Sequence, residues 1–113
     1  MSETEKIVLN LQQEMKRGTL VLAVLTQTDE AQYGYSLIQA LTDMGMPIEQ
    51  NTLYPLMRRL EKQGLLDSIW QVKENRPRRY YKISELGRNV RAVLIEEWQT
   101  LEETMSKLIG GVK

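Results

Sequence analysis

The basic side chains in the middle of the chain indicate most clearly what this protein could bind. The chain has 15 Lys and Arg and 15 Asp and Glu, so its formal net charge is zero. From Arg58 to Arg91, however, ten basic residues stand against four acidic ones, which gives this span +6, while the flanking segments carry −4 and −2. Such a concentration of basic charge favours a surface for a polyanion. An ordinary solvated surface is the alternative.

The first basic residues of this span belong to the stretch NTLYPLMRRLEKQGLL, residues 51–66. We expect a helix here, capped by Asn51 or Thr52, with Pro55 in its first turn and Gly64 at its end. The apolar residues at helical spacing would form its inner face, namely Leu53, Leu56, Met57 and Leu60.

The outer face and the N-terminus of this helix suit DNA. The free N–H groups of the first turn can hold a phosphate, and the Tyr54 hydroxyl can reach a phosphate oxygen. Arg58 and Arg59 can each contact phosphate or guanine, and the sequence leaves open which does. The DNA-facing residues predicted on this helix are Asn51, Thr52, Tyr54, Pro55, Arg58, Arg59 and Lys62. The alternative is a solvated face whose charge Glu61 partly compensates.

A β-hairpin with a basic tip is predicted next. LLDSIWQV and RRYYKIS have strand composition, and ENRP between them is typical of a turn. Charged side chains along such a hairpin suit a phosphate track or a minor groove, and they also discourage aggregation at a sheet edge. The basic residues concerned are Lys73, Arg76, Arg78, Arg79 and Lys82. Tyr81 and Ile83 are expected in the core, with Tyr80 undecided.

The preceding segments supply the helices that carry these elements. A weak amphipathic helix is expected from Glu3 to Met15, interrupted at Gly18, with the apolar run TLVLAVLTQ forming a buried helix. YGYSLIQALTDMGM predicts a further helix that ends at Gly45. Of the two tyrosines beside Gly34, one ring is expected to pack in the core and the other to reach phosphate.

The last helix begins after Ser84 and carries an apolar seam close to a heptad repeat: Leu86, Val90, Val93, Leu94, Trp98, Leu101, Met105 and Leu108. No later segment covers this seam, which most simply predicts a second copy as partner. The N-terminal helix could pack there too. The expected dimer interface comprises Ile7, Leu11, Val90, Leu94, Trp98, Leu101, Met105 and Leu108. Trp98 is either interface core or a planar wall for a flat hydrophobic ligand.

The order of these elements predicts a mainly α fold with a small β-hairpin, a winged helix-turn-helix. Residues 1–84 would form the DNA-binding domain with its N-terminal helix, and residues 85–113 the C-terminal dimerisation helix. In such a domain the second helix of a turn-linked pair enters the major groove, and the hairpin reaches the neighbouring backbone or minor groove.

Missing residue types exclude several function classes. With no Cys and no His, thiol nucleophiles, imidazole bases and the usual zinc sites are excluded. The glycines form no phosphate-binding loop, and adjacent glutamates such as Glu96 and Glu97 point about 100° apart on a helix, so they form no catalytic pair. We therefore expect no enzyme, no cofactor and no metal. Without a signal-peptide pattern or a long apolar run, a cytoplasmic protein without membrane contact is expected.

Three blocks of the sequence, YGYSLIQAL, NTLYPLMRRLEKQGLL and RPRRYYKISELG, resemble the hallmark blocks of the PadR family of bacterial transcriptional regulators. The resemblance runs from about Met15 to Ile109, and the single C-terminal helix is similar to the compact subfamily. It implies a homodimeric repressor of a palindromic operator on duplex DNA, released by a small hydrophobic or aromatic effector. By position it implies DNA contacts for Tyr35, Asn51, Thr52, Tyr54, Pro55 and Arg58, with Arg76 to Arg79 in the wing.

The position of Trp98 is similar to that of an aromatic residue that lines the dimer pocket in multidrug-sensing members of the family. A winged-helix module that binds protein rather than DNA is the alternative function, since the net charge is zero and both ends of the chain are acidic.

Overall fold

The computed structural model describes residues 1–112. Four helices and one two-stranded antiparallel sheet follow one another as α1 (Glu3–Thr26), α2 (Gly34–Asp43), α3 (Gln50–Lys62), β1 (Leu66–Lys73), β2 (Arg76–Ile83) and α4 (Glu85–Gly110). This is the order of a winged helix-turn-helix with an additional long helix at each end, as the sequence predicted. We call the β1–β2 hairpin, residues 66–83, the wing.

Helix α1 is continuous, so the predicted interruption at Gly18 is wrong. The helix runs for 24 residues, and Ser2 caps it by accepting a hydrogen bond from the Glu5 N–H at 3.1 Å. A glycine inside a helix costs about 1 kcal/mol relative to alanine, which good helix-forming neighbours and the packing of the second half of α1 offset. The second half carries the buried side chains Leu20, Val24 and Leu25.

The core lies where α1, α2, α3 and the base of the wing meet. The four apolar residues predicted for the inner face of α3, Leu53, Leu56, Met57 and Leu60, are all buried. Tyr81 and Ile83 of the wing join the same cluster, also as predicted. Thr28, the one fully buried polar residue among those described, donates its hydroxyl to the Val24 carbonyl at 3.0 Å, so no buried hydroxyl is left unpaired there.

Both helices of the helix-turn-helix end at the glycines that the sequence indicated. Gly45 and Gly64 have φ of +97° and +80°, the left-handed region in which side chains are strained. After α3, the Leu65 N–H donates to the Leu60 carbonyl at 2.9 Å, which is the Schellman pattern. Each sharp reversal directs the following segment back onto the core.

The wing is a hairpin with a shorter turn than predicted. Its register pairs Leu66 with Ile83 and Lys73 with Arg76, so Arg76 and Pro77 belong to β2 and only Glu74 and Asn75 form the turn. Those two residues have φ of +54° and +62°, as a type I′ turn requires. Pro77 is tolerated because both strands of a two-stranded sheet are edges. Gln32 ties the wing to the core through two backbone hydrogen bonds with Tyr81.

Helix α4 leaves the core after its first three turns. Ser84 caps it by accepting the Gly87 N–H at 2.9 Å, and a Cβ on Gly87 would lie 2.2 Å from the Leu65 carbonyl oxygen, so only glycine fits this contact. Val90 and Leu94 pack on the core, while the part of the helix beyond Leu94 is exposed. Arg91 holds the base of α4 to α1 and the loop after it, through the Leu25 carbonyl and Asp29.

The two terminal helices make the molecule extended. Its radius of gyration is 16.6 Å, against about 13 Å for a compact domain of this length. The first half of α1 and the second half of α4 expose apolar side chains that a monomer leaves in water, among them Ile7, Leu11, Leu101, Met105 and Leu108. Such a surface is typical of a helix that packs against a partner. Within residues 1–112, none of the helices combines the length and apolar character that a bilayer crossing needs.

Candidate nucleic-acid interface

Helix α3 begins two to three residues earlier than the sequence predicted. Glu49 is the N-cap, with extended backbone at φ −88° and ψ 152°, and its carbonyl accepts the N–H groups of Thr52 and Leu53 at 3.1 and 3.0 Å. Asn51 and Thr52 therefore lie inside the first turn and do not cap it. In the described part of the chain no side chain caps this end of α3, so the first N–H groups of the helix remain available to an anion.

Pro55 is the sixth residue of α3 and lies in its second turn, so its predicted place in the first turn is wrong. A proline there has no N–H to donate to the carbonyl four residues earlier, which is that of Asn51. Both residues are exposed on the outer side of the helix, where water or a ligand donor can satisfy that carbonyl. The carbonyl that Pro55 leaves without a helical donor therefore lies on the side of α3 that faces away from the core.

The outer side of α3 is a continuous polar stripe. Asn51, Pro55, Arg58 and Lys62 are exposed and follow one another at spacings of four and three residues, which aligns them along one line of the helix. The inner side is fully anchored, so this stripe is held out from the core along the whole length of α3. Thr52 and Arg59 are also exposed and flank the stripe on one side.

Arg58 and Arg59 lie on different flanks of α3. Arg58 lines a cavity of about 350 Å³ between α3 and the wing, together with Tyr54, Trp70 and Arg78. Arg59 lies about 100° further round the helix, toward the side of Thr52, and Thr52 itself lines a different cavity, shared with α1. The structure thus brings Arg58, and not Arg59, together with the basic residues of the wing.

Tyrosines form the floor of this α3–wing surface. A Cβ on Gly34 would lie 2.1 Å from Cε1 of Tyr54, so the glycine at the start of α2 admits that ring. The Tyr33 ring meets the Tyr80 ring edge-on at 5.4 Å between centroids. Tyr35 is 59% exposed, so of the two tyrosines beside Gly34 it is the one available to a ligand. Burial raises the pKa of Tyr81, which keeps its phenol neutral.

The five predicted cations of the wing are held in three different ways. Lys73, Arg76 and Lys82 are exposed, and Lys73 Nζ lies 4.9 Å from the Tyr80 ring centroid. Arg78 stacks its guanidinium over Tyr33 at 4.4 Å, which keeps its charge while fixing its direction. Arg79, the fifth cation, is held differently.

Arg79 is bound to α3. Its Nη2 donates to both carboxylate oxygens of Glu61, at 2.7 and 3.0 Å, and its Nε donates to Ser68 Oγ at 3.1 Å. Ser68 in turn donates its hydroxyl to Glu61. The hydrogen bond from Ser68 is the largest cause that lowers the pKa of Glu61 below its ordinary 4.5; partial burial opposes it and Arg79 adds to it. Glu61 is therefore a carboxylate at neutral pH.

A second surface surrounds Trp98 on α4. The indole is 41% exposed and lies between two cavities that α4 forms with α1, of about 500 and 420 Å³. Leu22 lines both cavities, and each contains one carboxylate, from Glu97 in the larger and Glu102 in the smaller. Leu94 and Leu101, predicted in the same seam, line the larger cavity.

Several residues of these sites were outside the sequence-based prediction. Glu61 was considered only as a compensating charge, and Ser68 and Trp70 were given no role. Their spacing on α3 and β1 carries no recognisable motif, because their meeting depends on how the wing packs against α3. The register pairs Ser68 with Tyr81 and Trp70 with Arg79, so all four lie on one face of the wing.

Comparison with known proteins gives consistent matches. The model of the transcriptional regulator PadR-like family matches residues 21–93, from the second half of α1 to the first part of α4. The transcriptional regulator Rv3488 of Mycobacterium tuberculosis is 36% identical over 99 residues, which cover 87% of this chain and 90% of that protein.

Solved structures agree in fold over nearly the whole chain. A PadR family transcriptional regulator from Eggerthella lenta is 45% identical, with a TM-score of 0.90 and coverage of 96% of this chain and 97% of that one. A PadR-like transcriptional regulator from Bacillus cereus is 25% identical, with a TM-score of 0.78 and coverage of 88% and 99%. The match to the first extends over both terminal helices as well as the helix-turn-helix and the wing.

Proposed function

This chain belongs to the PadR-like family of transcriptional regulators, and we propose that it binds duplex DNA as a homodimeric repressor. Family membership agrees with the resemblance of its sequence blocks and with the expectation that it is not an enzyme. The observation that carries the DNA-binding proposal is the exposed polar stripe of α3 beside the cations of the wing, on a neutral chain whose positive charge is concentrated there.

In the proposed complex α3 enters the major groove. Its 13 residues span about 20 Å, enough to lie along the groove with its uncapped N-terminus near a phosphate. Arg58 faces the DNA strand that would pass between α3 and the wing, while the wing reaches the neighbouring DNA backbone or the minor groove. The contacts proposed for DNA come from Tyr35, Asn51, Thr52, Tyr54, Pro55, Arg58, Arg59, Lys62, Arg76, Arg78 and Lys82.

The dimer is proposed from the exposed apolar stripes of α1 and α4. Ile7 and Leu11 on α1 and Leu101, Met105 and Leu108 on α4 are between 42% and 62% exposed in the monomer. Pairing with a second copy would bury them and would place two α3 helices about 34 Å apart, one turn of DNA, on a palindromic site. The predicted dimerisation segment 85–113 includes Lys113, which lies outside the described residues.

The effector site is proposed around Trp98. A second α4 laid against the seam would close the two cavities beside the indole and leave a flat apolar space between the subunits. Glu97 and Glu102 supply the only ionisable side chains that line these two cavities within residues 1–112. We therefore propose a planar aromatic effector that is neutral or cationic, since an anion would face uncompensated carboxylates. Its binding between the subunits would alter the spacing of the α3 helices and release the operator.

Sequence-specific binding tests this function. A labelled duplex from upstream of the protein's own gene is titrated in a gel shift, with a scrambled duplex of equal length and composition as the control. The proposal expects the upstream duplex to bind at least about 10³-fold more tightly than the control at physiological salt. A monomer by size-exclusion chromatography that binds neither duplex at low salt would instead support the winged-helix module that binds protein.

A further inference from the structure

Arg79 joins α3 to both strands of the wing. Its partner Glu61 belongs to α3, Arg79 itself to β2, and Ser68, bonded to both, to β1. We call these three residues the wing clamp. Among residues 1–112, every hydrogen bond that joins α3 to the wing ends on the Glu61 carboxylate.

The clamp occupies the parts of Arg79 that a phosphate would use. A guanidinium recognises an oxyanion through a fork of paired N–H groups, and in Arg79 Nε and Nη2 are already engaged by Ser68 and Glu61. The guanidinium is also confined by the Trp70 and Tyr81 rings, at 5.9 and 5.6 Å. The adjacent carboxylate compensates its charge, so it contributes little to the attraction of DNA.

The neighbouring arginines of the strand differ on each of these points. Arg76 is exposed at the tip of the wing, and Arg78 rests on the face of Tyr33 with its charge uncompensated by any carboxylate in the described residues. Arg58 projects from α3 into the same space. The orientation of the wing relative to α3 therefore decides whether these three cations meet one DNA strand together.

We infer that Arg79 is a positioning residue, which with Glu61 and Ser68 fixes the wing against α3 and acts on DNA affinity through the orientation of the wing rather than through a phosphate contact. This inference rests on the proposed DNA-binding function. It changes the role of Arg79 from the DNA contact that the sequence predicted, and it assigns a role in DNA binding to a carboxylate, Glu61, that would repel DNA by charge alone.

The substitution Glu61→Gln separates the two roles by sign. If Arg79 contacted phosphate, removing the competing carboxylate would free the guanidinium, remove a negative charge from the DNA-binding surface and tighten binding. If Arg79 is a positioning residue, the same change loosens the wing and weakens binding by about 3- to 10-fold, which is the effect of about one ordinary hydrogen bond. Ser68→Ala, which leaves the charge unchanged, should weaken binding in the same direction.

The matched control is Glu74→Gln in the turn of the wing. Glu74 is exposed and has no ion pair or hydrogen-bonded side-chain partner in the described residues, so its neutralisation should leave affinity unchanged or raise it. Binding is measured by fluorescence anisotropy with the labelled upstream duplex. A double variant with Glu61→Gln and Arg79→Gln should bind no more weakly than the weaker of the two single variants, because both remove the same interaction.

Hydrogen exchange of the wing amides in the free protein keeps this test independent of DNA binding. Faster exchange in β1 and β2 for Glu61→Gln and Arg79→Gln, and not for Glu74→Gln, is the expected result. If this occurs without any DNA binding by the native protein, the proposed function fails while the clamp stands. Tighter DNA binding by Glu61→Gln, or wing exchange that is unchanged in both clamp variants, would overturn the positioning role.

Discussion

Gly34 and Tyr54 are in such close contact that a Cβ atom on Gly34 would lie 2.1 Å from Cε1 of the Tyr54 ring. The contact joins the first turn of α2 to the outer part of α3, and it sets how far the tyrosine hydroxyl projects toward the proposed DNA strand. Tyr33 and Tyr35, the neighbours of this glycine in the chain, stack their rings with centroids 6.5 Å apart. The absence of a side chain on Gly34 thus gives the Tyr54 ring its place on this surface.

Gly34→Ala is expected to destabilise the protein and to weaken DNA binding together. The added methyl must displace the Tyr54 ring or separate α2 from α3, at a cost of about 1–3 kcal/mol, which thermal unfolding would report. Gly110→Ala is the matched control, because no atom lies within 4 Å of a Cβ at that position. An unchanged unfolding midpoint for Gly34→Ala would contradict the close contact.

Leu101→Asp is expected to abolish the dimer. Leu101 is 57% exposed in the monomer and lies in the seam of α4 that we propose as interface. The substitution would bury an unpaired carboxylate from each subunit, at a cost of about 3 kcal/mol per subunit, which is roughly a 10⁴-fold rise in the dimer dissociation constant. Analytical ultracentrifugation measures this directly. Glu103→Arg, about 200° round the helix from Leu101, should leave the dimer intact; equal association of native protein and both variants would place the interface elsewhere.

A planar aromatic cation is expected to quench Trp98 fluorescence saturably. Trp70 is 67% exposed on the wing and would contribute to the signal, so the titration uses the Trp70→Phe variant. An acridinium cation should bind more tightly than a planar aromatic carboxylate of similar size, because Glu97 and Glu102 line the cavities. Trp98→Ala should lose the tight binding of the acridinium cation, which is followed through the fluorescence of the acridinium itself. Tighter binding of the carboxylate would contradict the proposed effector class.

Acid should loosen the wing before it unfolds the core. Ser68 and Arg79 lower the pKa of Glu61 in the folded protein below its ordinary 4.5, so the stability that the clamp supplies is fully present above that value. It is lost as the pH falls through the lower folded-state pKa. Trp70 emission in a Trp98→Phe variant should therefore change at a pH below 4.5, and Glu61→Gln should remove this step. If this change in Trp70 emission persists in Glu61→Gln, it reports the titration of another group.

The sequence predicted those features that depend on neighbouring residues in the chain. The inner face of α3, the stops at Gly45 and Gly64 and the packing of Tyr81 and Ile83 follow from period and turn chemistry. Boundaries that depend on competition between local signals were wrong. Gly18 did not break α1, because its neighbours favour the helix more than one glycine opposes it, and Pro55 was placed a turn too early.

Features that depend on packing between distant segments could not be predicted. Glu61 and Arg79 are 18 positions apart, and no periodic pattern relates a helix residue to the strand that packs beside it. The choice between Arg58 and Arg59 has the same origin, since either residue satisfies the pattern of an exposed helical cation. Only the location of the wing brings Arg58 to the shared cavity.

The salt dependence of DNA binding tests the central claim, that α3 and the wing form one DNA-binding surface. The logarithm of the affinity for the upstream duplex is measured against the logarithm of salt concentration for native protein, Arg58→Ala, Arg76→Ala and the control Lys107→Ala at the far end of α4. We predict that the slope becomes less steep by about 0.9 for Arg58→Ala, by about 0.9 for Arg76→Ala and by about 1.8 when the two substitutions are combined. Slopes for Arg58→Ala and Arg76→Ala that equal those of native protein and Lys107→Ala would contradict it.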